Sequence, residues 1–118
     1  MPSRRAPSRL FPAQARQRAE QGDAALLDVR ERYEWAAGHA PGAQHLPLTR
    51  LLAGAALPAS VQGRPVVVIC RSGSRSRQAA ELLADCGVDA ADVTGGMIAW
   101  AREGLPVVDG RGDRGVIA

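Results

Sequence analysis

A cysteine followed by a short loop of small and basic residues has the clearest chemical potential in this sequence. Cys70 ends an apolar run, and the five residues after it lead into a predicted helix. In such a loop successive backbone N–H groups can turn inward, and the helix adds its positive end, so an anion can be held above the sulfur. Flanking arginines favour the nucleophilic thiolate. We therefore predict that Cys70 is a nucleophile. The loop residues after it are Arg71, Ser72, Gly73, Ser74 and Arg75.

The two cysteines receive different interpretations. The alternative for Cys70 is a buried core cysteine, which is common after apolar strands, but the glycine, serines and arginines that follow favour a functional role. Cys86 falls on one predicted helix face with Ala79, Leu82 and Leu83, so we predict that it is a core residue.

Composition excludes several other chemistries. All 15 basic residues are arginine, which rules out a Schiff-base lysine, a Ser-Lys dyad and a P-loop lysine. The chain has 118 residues, 46% of them hydrophobic and 23% charged, as expected for one globular domain. We see no apolar run long enough for a membrane span and neither a secretory nor a twin-arginine signal, so we expect a cytoplasmic protein.

Charge is unevenly distributed along the chain. Five arginines and no acidic residue lie within residues 1–19, and no acidic residue lies between Glu34 and Glu81. An anion-attracting cleft would result if the arginines of the second region, at positions 50, 64, 71, 75 and 77, converged. With four aromatic residues in all and no recognisable binding motif, we do not expect a nucleic-acid partner.

Strand and helix patterns alternate along the chain. Helices are predicted over 12–21, 31–37, 48–56, 76–86 and 97–103, and strands over 24–28, 43–46, 65–69 and 91–93. This order predicts an α/β fold with a central, mostly parallel sheet flanked by helices on both faces and a ligand site outside the carboxyl ends of the strands. We assign 24–108 to the domain, 1–23 to an arginine-rich arm with a first helix that is packed on the domain or partly flexible, and 109–118 to a flexible tail.

Four motifs in order resemble the single-domain sulfurtransferases of the rhodanese family. The resemblance spans residues 24–107, which is most of the chain, and the motifs are LDVRE at 27–31, EWAAGHAPGA at 34–43, the loop at 70–75, and GGMIAW with GLPV at 95–100 and 104–107. The resemblance implies that Cys70 takes the outer sulfur of a small anionic donor, commonly thiosulfate, and becomes a persulfide. The same resemblance implies that this anionic substrate is bound by Arg71, Ser72, Gly73, Ser74 and Arg75. The sulfur would then pass to cyanide, a thiol or a protein acceptor. No metal or organic cofactor is implied.

Asp28 and Arg30 lie at a predicted strand end near the cleft. Acid–base roles are conceivable, but Arg30 and Glu34 are spaced four apart, and the resemblance suggests that the Asp-x-Arg pair holds loops in place. We therefore predict that Asp28 and Arg30 are supporting scaffold. His39 and His45 have no metal-ligand partner in the sequence and are predicted to be structural.

Two further hypotheses stay open. Cysteine phosphatases that share the rhodanese fold use a Cys-x5-Arg loop, whereas four residues separate Cys70 from Arg75 here and Ser76 occupies the phosphatase arginine position. The shorter loop favours sulfur over phosphate. The other hypothesis is a persulfide carrier or a regulatory rhodanese-like binding module.

Overall fold

A computed structural model describes residues 5–118, which form one sheet with five helices around it. The strands are β1 (Ser8–Leu10), β2 (Ala25–Asp28), β3 (Gln44–His45), β4 (Val66–Ile69) and β5 (Ala90–Val93). The helices are α1 (Pro12–Glu20), α2 (Arg32–Ala37), α3 (Leu48–Leu52), α4 (Ser74–Asp85) and α5 (Gly96–Arg102).

The sheet has the order β1-β5-β4-β2-β3, and each neighbouring pair is parallel. Strand β4 lies at the centre and consists of three valines and an isoleucine, all buried. β-Branched residues suit the pleated backbone, and an apolar strand without alternation is typical of one covered on both faces. The predicted α/β fold with a parallel sheet is confirmed.

The two faces of the sheet bury separate apolar cores. Leu48 and Leu51 of α3 and Leu83 of α4 pack against alternate residues of β2 and β4 on one face. On the other face, Met97 and Trp100 of α5 pack with Ala15 of α1. Helices therefore cover both faces, as the sequence predicted.

Strand β1 is the element that the sequence analysis did not predict. Its three residues are exposed or half-buried and carry no apolar pattern. The strand forms because it pairs with the edge of β5, with Arg9 opposite Asp92 and Leu10 opposite Val93. Part of the arginine-rich amino-terminal segment is thus an edge strand of the sheet.

Helix α4 corrects the prediction for Cys86. The helix starts at Ser74, two residues before the predicted start, and ends at Asp85. Its buried face is formed by Ala79, Ala80, Leu83 and Ala84, so the apolar stripe is rotated from the predicted one. Cys86 follows the last helical residue and is exposed. The prediction that it is a core residue is wrong.

Residues 109–118 run back across the domain. The N–H of Gly115 donates to the carbonyl of Val107 at 2.9 Å, and the N–H of Val116 donates to the carbonyl of Ala37 at 3.0 Å. Ile117 packs against the α1–α5 core. The chain end therefore lies beside α2. The domain boundaries at 23 and 108 stay predictions.

Within residues 5–118, none of the helices combines the length and the apolar character that a bilayer crossing requires.

Candidate active site

The loop after β4 lies at the carboxyl edge of the sheet, where the direction of the chain connections reverses. From β2 the chain passes to β3 on one side, and from β4 it passes to β5 on the other. Because the crossovers diverge here, a crevice opens between the ends of the two central strands, the usual ligand site of such sheets. Cys70 follows β4 at this position, and Asp28 ends β2 beside it.

The Cys70 sulfur is fully buried at the floor of the loop. The backbone N–H of Gly73 donates to Sγ at 3.1 Å, and the thiol donates to Oγ of Ser76 at 3.3 Å. Gly73 has φ +111°, a conformation in which a side chain would be strained. This glycine therefore lets the loop turn one of its N–H groups onto the sulfur, where it stabilises negative charge.

The start of α4 supplies further N–H donors. In the first helical turn, the N–H groups of Ser74, Arg75 and Ser76 have no carbonyl four residues earlier within the helix, and the helix dipole places partial positive charge there. Backbone donors are therefore available at this end of α4 for the anion that the sequence predicts here.

Helix α5 holds the other side of the loop. The N–H groups of Met97 and Ile98 donate to the carbonyls of Cys70 and Arg71 at 2.8 and 3.0 Å. Gly96 approaches so closely that a Cβ atom there would collide with both carbonyl oxygens. These bonds fix the first two carbonyls of the loop on α5.

Arg75 is paired with Glu34 of α2. Its two terminal nitrogens donate to the two carboxylate oxygens at 2.7 and 2.8 Å. The Glu34 side chain is 3% exposed, whereas that of Arg75 is 33% exposed. The bidentate bond holds the pKa of Glu34 below its ordinary value, although burial opposes the shift. Arg75 is therefore held in place at the loop, with much of its charge balanced.

The other loop residues lie closer to the surface. Arg71 is exposed, and its Nε donates to the carbonyl oxygen of Ala118 at 2.9 Å. Ser72 and Ser74 are exposed, and Gly73 between them is buried. The structure thus brings the predicted substrate-binding residues together around Cys70. Their roles stay predictions.

Asp28 and Arg30 form a buried pair beside the site. Arg30 Nε lies 3.0 Å from Oδ1 of Asp28, and Nη2 lies 2.8 Å from Oδ2. Nη2 also donates to the carbonyl of Gly38 at 2.6 Å. Both side chains are fully buried. The pair ties the end of β2 to the loop after α2, and this position fits the predicted scaffold role.

His39 lies within the loop after α2, and His45 ends β3, the strand that follows it. Their rings stack on Trp35, with centroid distances of 3.6 Å for His39 and 4.9 Å for His45. Nδ1 of His39 is 2.7 Å from the carbonyl oxygen of Trp35, and Nε2 of His45 is 2.8 Å from that of Arg30. Both histidines make packing and backbone contacts.

The expected convergence of arginines is only partial. Arg64 precedes β4 and donates to the carbonyls of Ser60 and Gly22 at 3.2 and 3.3 Å. Since Cys70 follows β4, Arg64 lies at the opposite edge of the sheet and cannot attract an anion to the loop. It lines a cavity of about 450 Å³ that contains none of the predicted site residues.

The sequence did not identify three residues of the site as functional: Ser76, Asp92 and Arg9. Ser76 contacts both Cys70 and Asp92, and Asp92 is paired with Arg9. Asp92 could have been identified from the sequence. It lies within a short apolar strand, and a buried carboxylate needs partners. Arg9 carried no comparable sign, since its position depends on the unpredicted strand β1.

These features agree with what comparison with known proteins shows. The sequence matches the family described as Rhodanese-like domain over residues 11–103. The chain belongs to this family.

Two curated relatives are named sulfurtransferases. A "Sulfurtransferase" of Allochromatium vinosum is 40% identical over 92 residues, which cover 76% of this chain and 83% of that protein. The probable adenylyltransferase/sulfurtransferase MoeZ of Mycobacterium tuberculosis is 37% identical over 83 residues, or 70% of this chain and 21% of that protein. The chain thus spans about a fifth of MoeZ and most of the first relative.

Solved structures share the fold. A rhodanese-related protein of Thermoplasma volcanium superposes with a TM-score of 0.73 at 29% identity, covering 86% of this chain and 97% of that one. A Rhodopseudomonas palustris protein described as of unknown function and a possible tyrosine phosphatase has a TM-score of 0.72 at 25% identity, covering 86% and 84%.

Proposed function

We propose that the protein is a sulfurtransferase that moves sulfane sulfur from thiosulfate, or from a persulfide donor, to cyanide, a thiol or a protein acceptor. The observation that carries this proposal is the buried Cys70 sulfur beneath the Gly73 N–H at the start of α4. Such a setting favours a sulfur anion, either the thiolate or the terminal sulfur of a persulfide.

Two displacements account for the reaction. The Cys70 thiolate attacks the outer sulfur of thiosulfate, a new S–S bond forms, and sulfite leaves with the electron pair of the broken S–S bond. Cyanide or a thiolate then attacks the outer sulfur of the persulfide, and the Cys70 thiolate leaves. Each step exchanges one bond to sulfur for another, so no external oxidant or reductant is required.

The charges around the loop suit a dianionic donor. Arg71 is exposed beside the loop, and Arg75 is one-third exposed despite its pairing with Glu34. The backbone N–H groups at the start of α4 add donors that need no rearrangement when charge shifts to the departing sulfite. We assign donor binding to residues 71–75, catalysis to Cys70, and loop support to Asp28 and Arg30.

Phosphate chemistry is the second candidate, because a structural relative is described as a possible tyrosine phosphatase. The loop argues against it. Ser76, which holds the phosphatase arginine position, is fully buried, and its hydroxyl contacts the cysteine sulfur. This hydroxyl cannot supply the positive charge that closes a phosphate-binding ring.

Mass spectrometry of the protein after thiosulfate treatment tests the proposal. We expect Cys70 to gain one sulfur atom and Cys86 to remain unchanged, and cyanide should then remove the added sulfur. Comparing thiosulfate:cyanide turnover with persulfide transfer from a cysteine desulfurase separates a thiosulfate enzyme from a carrier. Failure of both donors to load Cys70 would refute sulfur transfer, and loading by the desulfurase alone would establish the carrier alternative.

A further inference from the structure

A line of polar side chains connects the Cys70 sulfur with the edge strand β1. Ser76 Oγ is 3.3 Å from Sγ and 3.3 Å from Oδ2 of Asp92. Asp92 is bound in turn by Arg9, whose Nε lies 3.0 Å from Oδ1 and whose Nη2 lies 3.0 Å from Oδ2. The proposed reaction assigns no task to Arg9 or Asp92.

The sheet register creates this line. Arg9 and Asp92 occupy paired positions on β1 and β5, where side chains of neighbouring strands meet on one face. Ala91 and Val93 point into the α1–α5 core, so alternation directs Asp92 to the opposite face, which α4 covers. Ser76 lies in the first turn of that helix.

The Ser76 hydroxyl has one proton and three neighbouring acceptors. Besides the sulfur and Asp92, the carbonyl oxygen of Gly73 lies 3.3 Å away. When Cys70 is a thiol, its S–H donates to Ser76, whose own proton is free to bind Asp92 or Gly73. When the sulfur is an anion, it gains a second donor only if Ser76 turns its proton away from these competitors.

Arg9 determines how strongly Asp92 competes with the sulfur for the Ser76 proton. The Asp92 side chain is 2% exposed, so its charge is balanced by protein groups rather than water. With Arg9 bound to both oxygens, the carboxylate has less pull on the Ser76 proton and repels a sulfur anion less. The pKa of Arg9 is raised mainly by its hydrogen bonds to Asp92, although burial opposes the shift.

We propose that Arg9 is a positioning residue: by neutralising Asp92, it releases the Ser76 hydroxyl to stabilise the Cys70 thiolate and persulfide. This proposal rests on the proposed function for its role in turnover, but its effect on the thiolate does not depend on any sulfur donor.

The experiment measures the alkylation rate of Cys70 by iodoacetamide against pH, read from the peptide that contains Cys70. For Arg9→Met we expect the midpoint of the profile to rise by about one pH unit, as for an anion beside an uncompensated buried carboxylate. Well below the midpoint, alkylation should be about tenfold slower than in the unchanged protein. Arg9→Met/Asp92→Asn should restore most of the rate.

Arg5 provides a matched control. It also pairs with an aspartate, Asp89, at 3.2 Å, but its side chain is 76% exposed. Arg5→Met removes the same charge from the same segment and should leave the profile unchanged. Asp92→Asn alone should lower the midpoint, because it removes the negative charge and keeps Arg9.

The variants isolate one pair among several charges. The elements around Cys70 carry these charged side chains: Arg9 on β1, Asp28 on β2 and Arg30 after it, Arg32 and Glu34 on α2, Arg71 in the loop, Arg75, Arg77, Glu81 and Asp85 on α4, Asp92 on β5 and Arg102 on α5. Equal profiles for Arg9→Met and Arg5→Met, or a double variant as slow as Arg9→Met, would overturn the proposal. If Arg9→Met does not fold, an unchanged profile for Asp92→Asn would overturn the proposal. Loss of sulfur loading with the expected profiles would refute the proposed function alone.

Discussion

Helix α4 has a cysteine at each end, and the two ends differ in the properties that govern sulfur chemistry. Cys70 precedes the first turn, is fully buried, and receives the Gly73 N–H. Cys86 follows the last turn, is exposed, and lies where the helix dipole presents partial negative charge. The two cysteines therefore differ in burial, in backbone hydrogen bonding and in the helix end beside them, and from this difference we predict that Cys70 is the reactive one.

Replacing each cysteine in turn tests this comparison, and we expect the largest effect from this pair of substitutions. Cys70→Ser should lower thiosulfate:cyanide turnover by about 10³-fold or more, because the nucleophile is lost. Cys86→Ser should change turnover by less than about twofold, since an exposed substitution leaves the loop intact. Steady-state kinetics of both variants measure this. Comparable losses in the two variants would instead indicate a mechanism that uses both sulfurs.

Changing the length of the loop before α4 tests the same difference between the two ends of this helix. One glycine inserted between Ser74 and Arg75 creates a Cys-x5-Arg spacing and displaces Arg75 and the Ser76 hydroxyl relative to the sulfur. We expect sulfur transfer to fall by about 10²–10³-fold, as for the loss of one well-placed donor. Activity on an aryl phosphate is assayed in parallel. The control is a glycine inserted after Gly87, beyond Cys86. Equal turnover of both insertion variants would show that ring size does not select the substrate.

The arginines at the amino-terminal end should affect donor binding. Arg71→Gln and Arg75→Gln should each raise the KM for thiosulfate, and Arg75→Gln should also lower kcat if its guanidinium stabilises departing sulfite. The cost should be about 1–3 kcal/mol in kcat/KM. Added salt should weaken donor binding in the unchanged protein by screening the attraction.

Arg64→Gln is the control for charge alone, since Arg64 lies at the opposite edge of the sheet. Unchanged KM, kcat and salt dependence in both loop variants would show that only backbone N–H groups bind the donor.

The last expected effect is on stability and concerns the Glu34–Arg75 pair that holds this end of the loop. Arg75 keeps the pKa of Glu34 below its ordinary value, so the stabilisation is complete above the unfolded value of about 4.3 and is lost as pH falls through the lower folded pKa. Glu34→Gln should lower the free energy of unfolding by about 1–3 kcal/mol at pH 7. Urea unfolding at several pH values should show this difference shrinking below about pH 4.

Glu20→Gln is the matched control, because the Arg16–Glu20 pair is solvent-exposed on α1, with side chains 41% and 63% exposed. Such pairs contribute little. A deficit for Glu34→Gln that stayed constant down to pH 3 would contradict the assigned ionisation.

Local patterns determined much of this protein. The apolar run of β4 predicted a strand covered on both faces, and the Cys70 loop with its following helix predicted the anion site. Both follow from neighbouring residues, because a strand's burial and a helix's start are encoded over a few positions. Four motifs in order were sufficient to predict the family, which the match over residues 11–103 confirms.

Tertiary structure decided which distant residues meet at the site. Strand β1 exists because β5 offers a free edge, and Arg9 reaches Asp92 only through that pairing. Glu34 meets Arg75 because α2 and α4 start near the carboxyl ends of adjacent strands, and Cys86 is exposed because α4 ends one residue before it. The two ion pairs depend on the packing of elements far apart in the chain, which local periodicity does not encode.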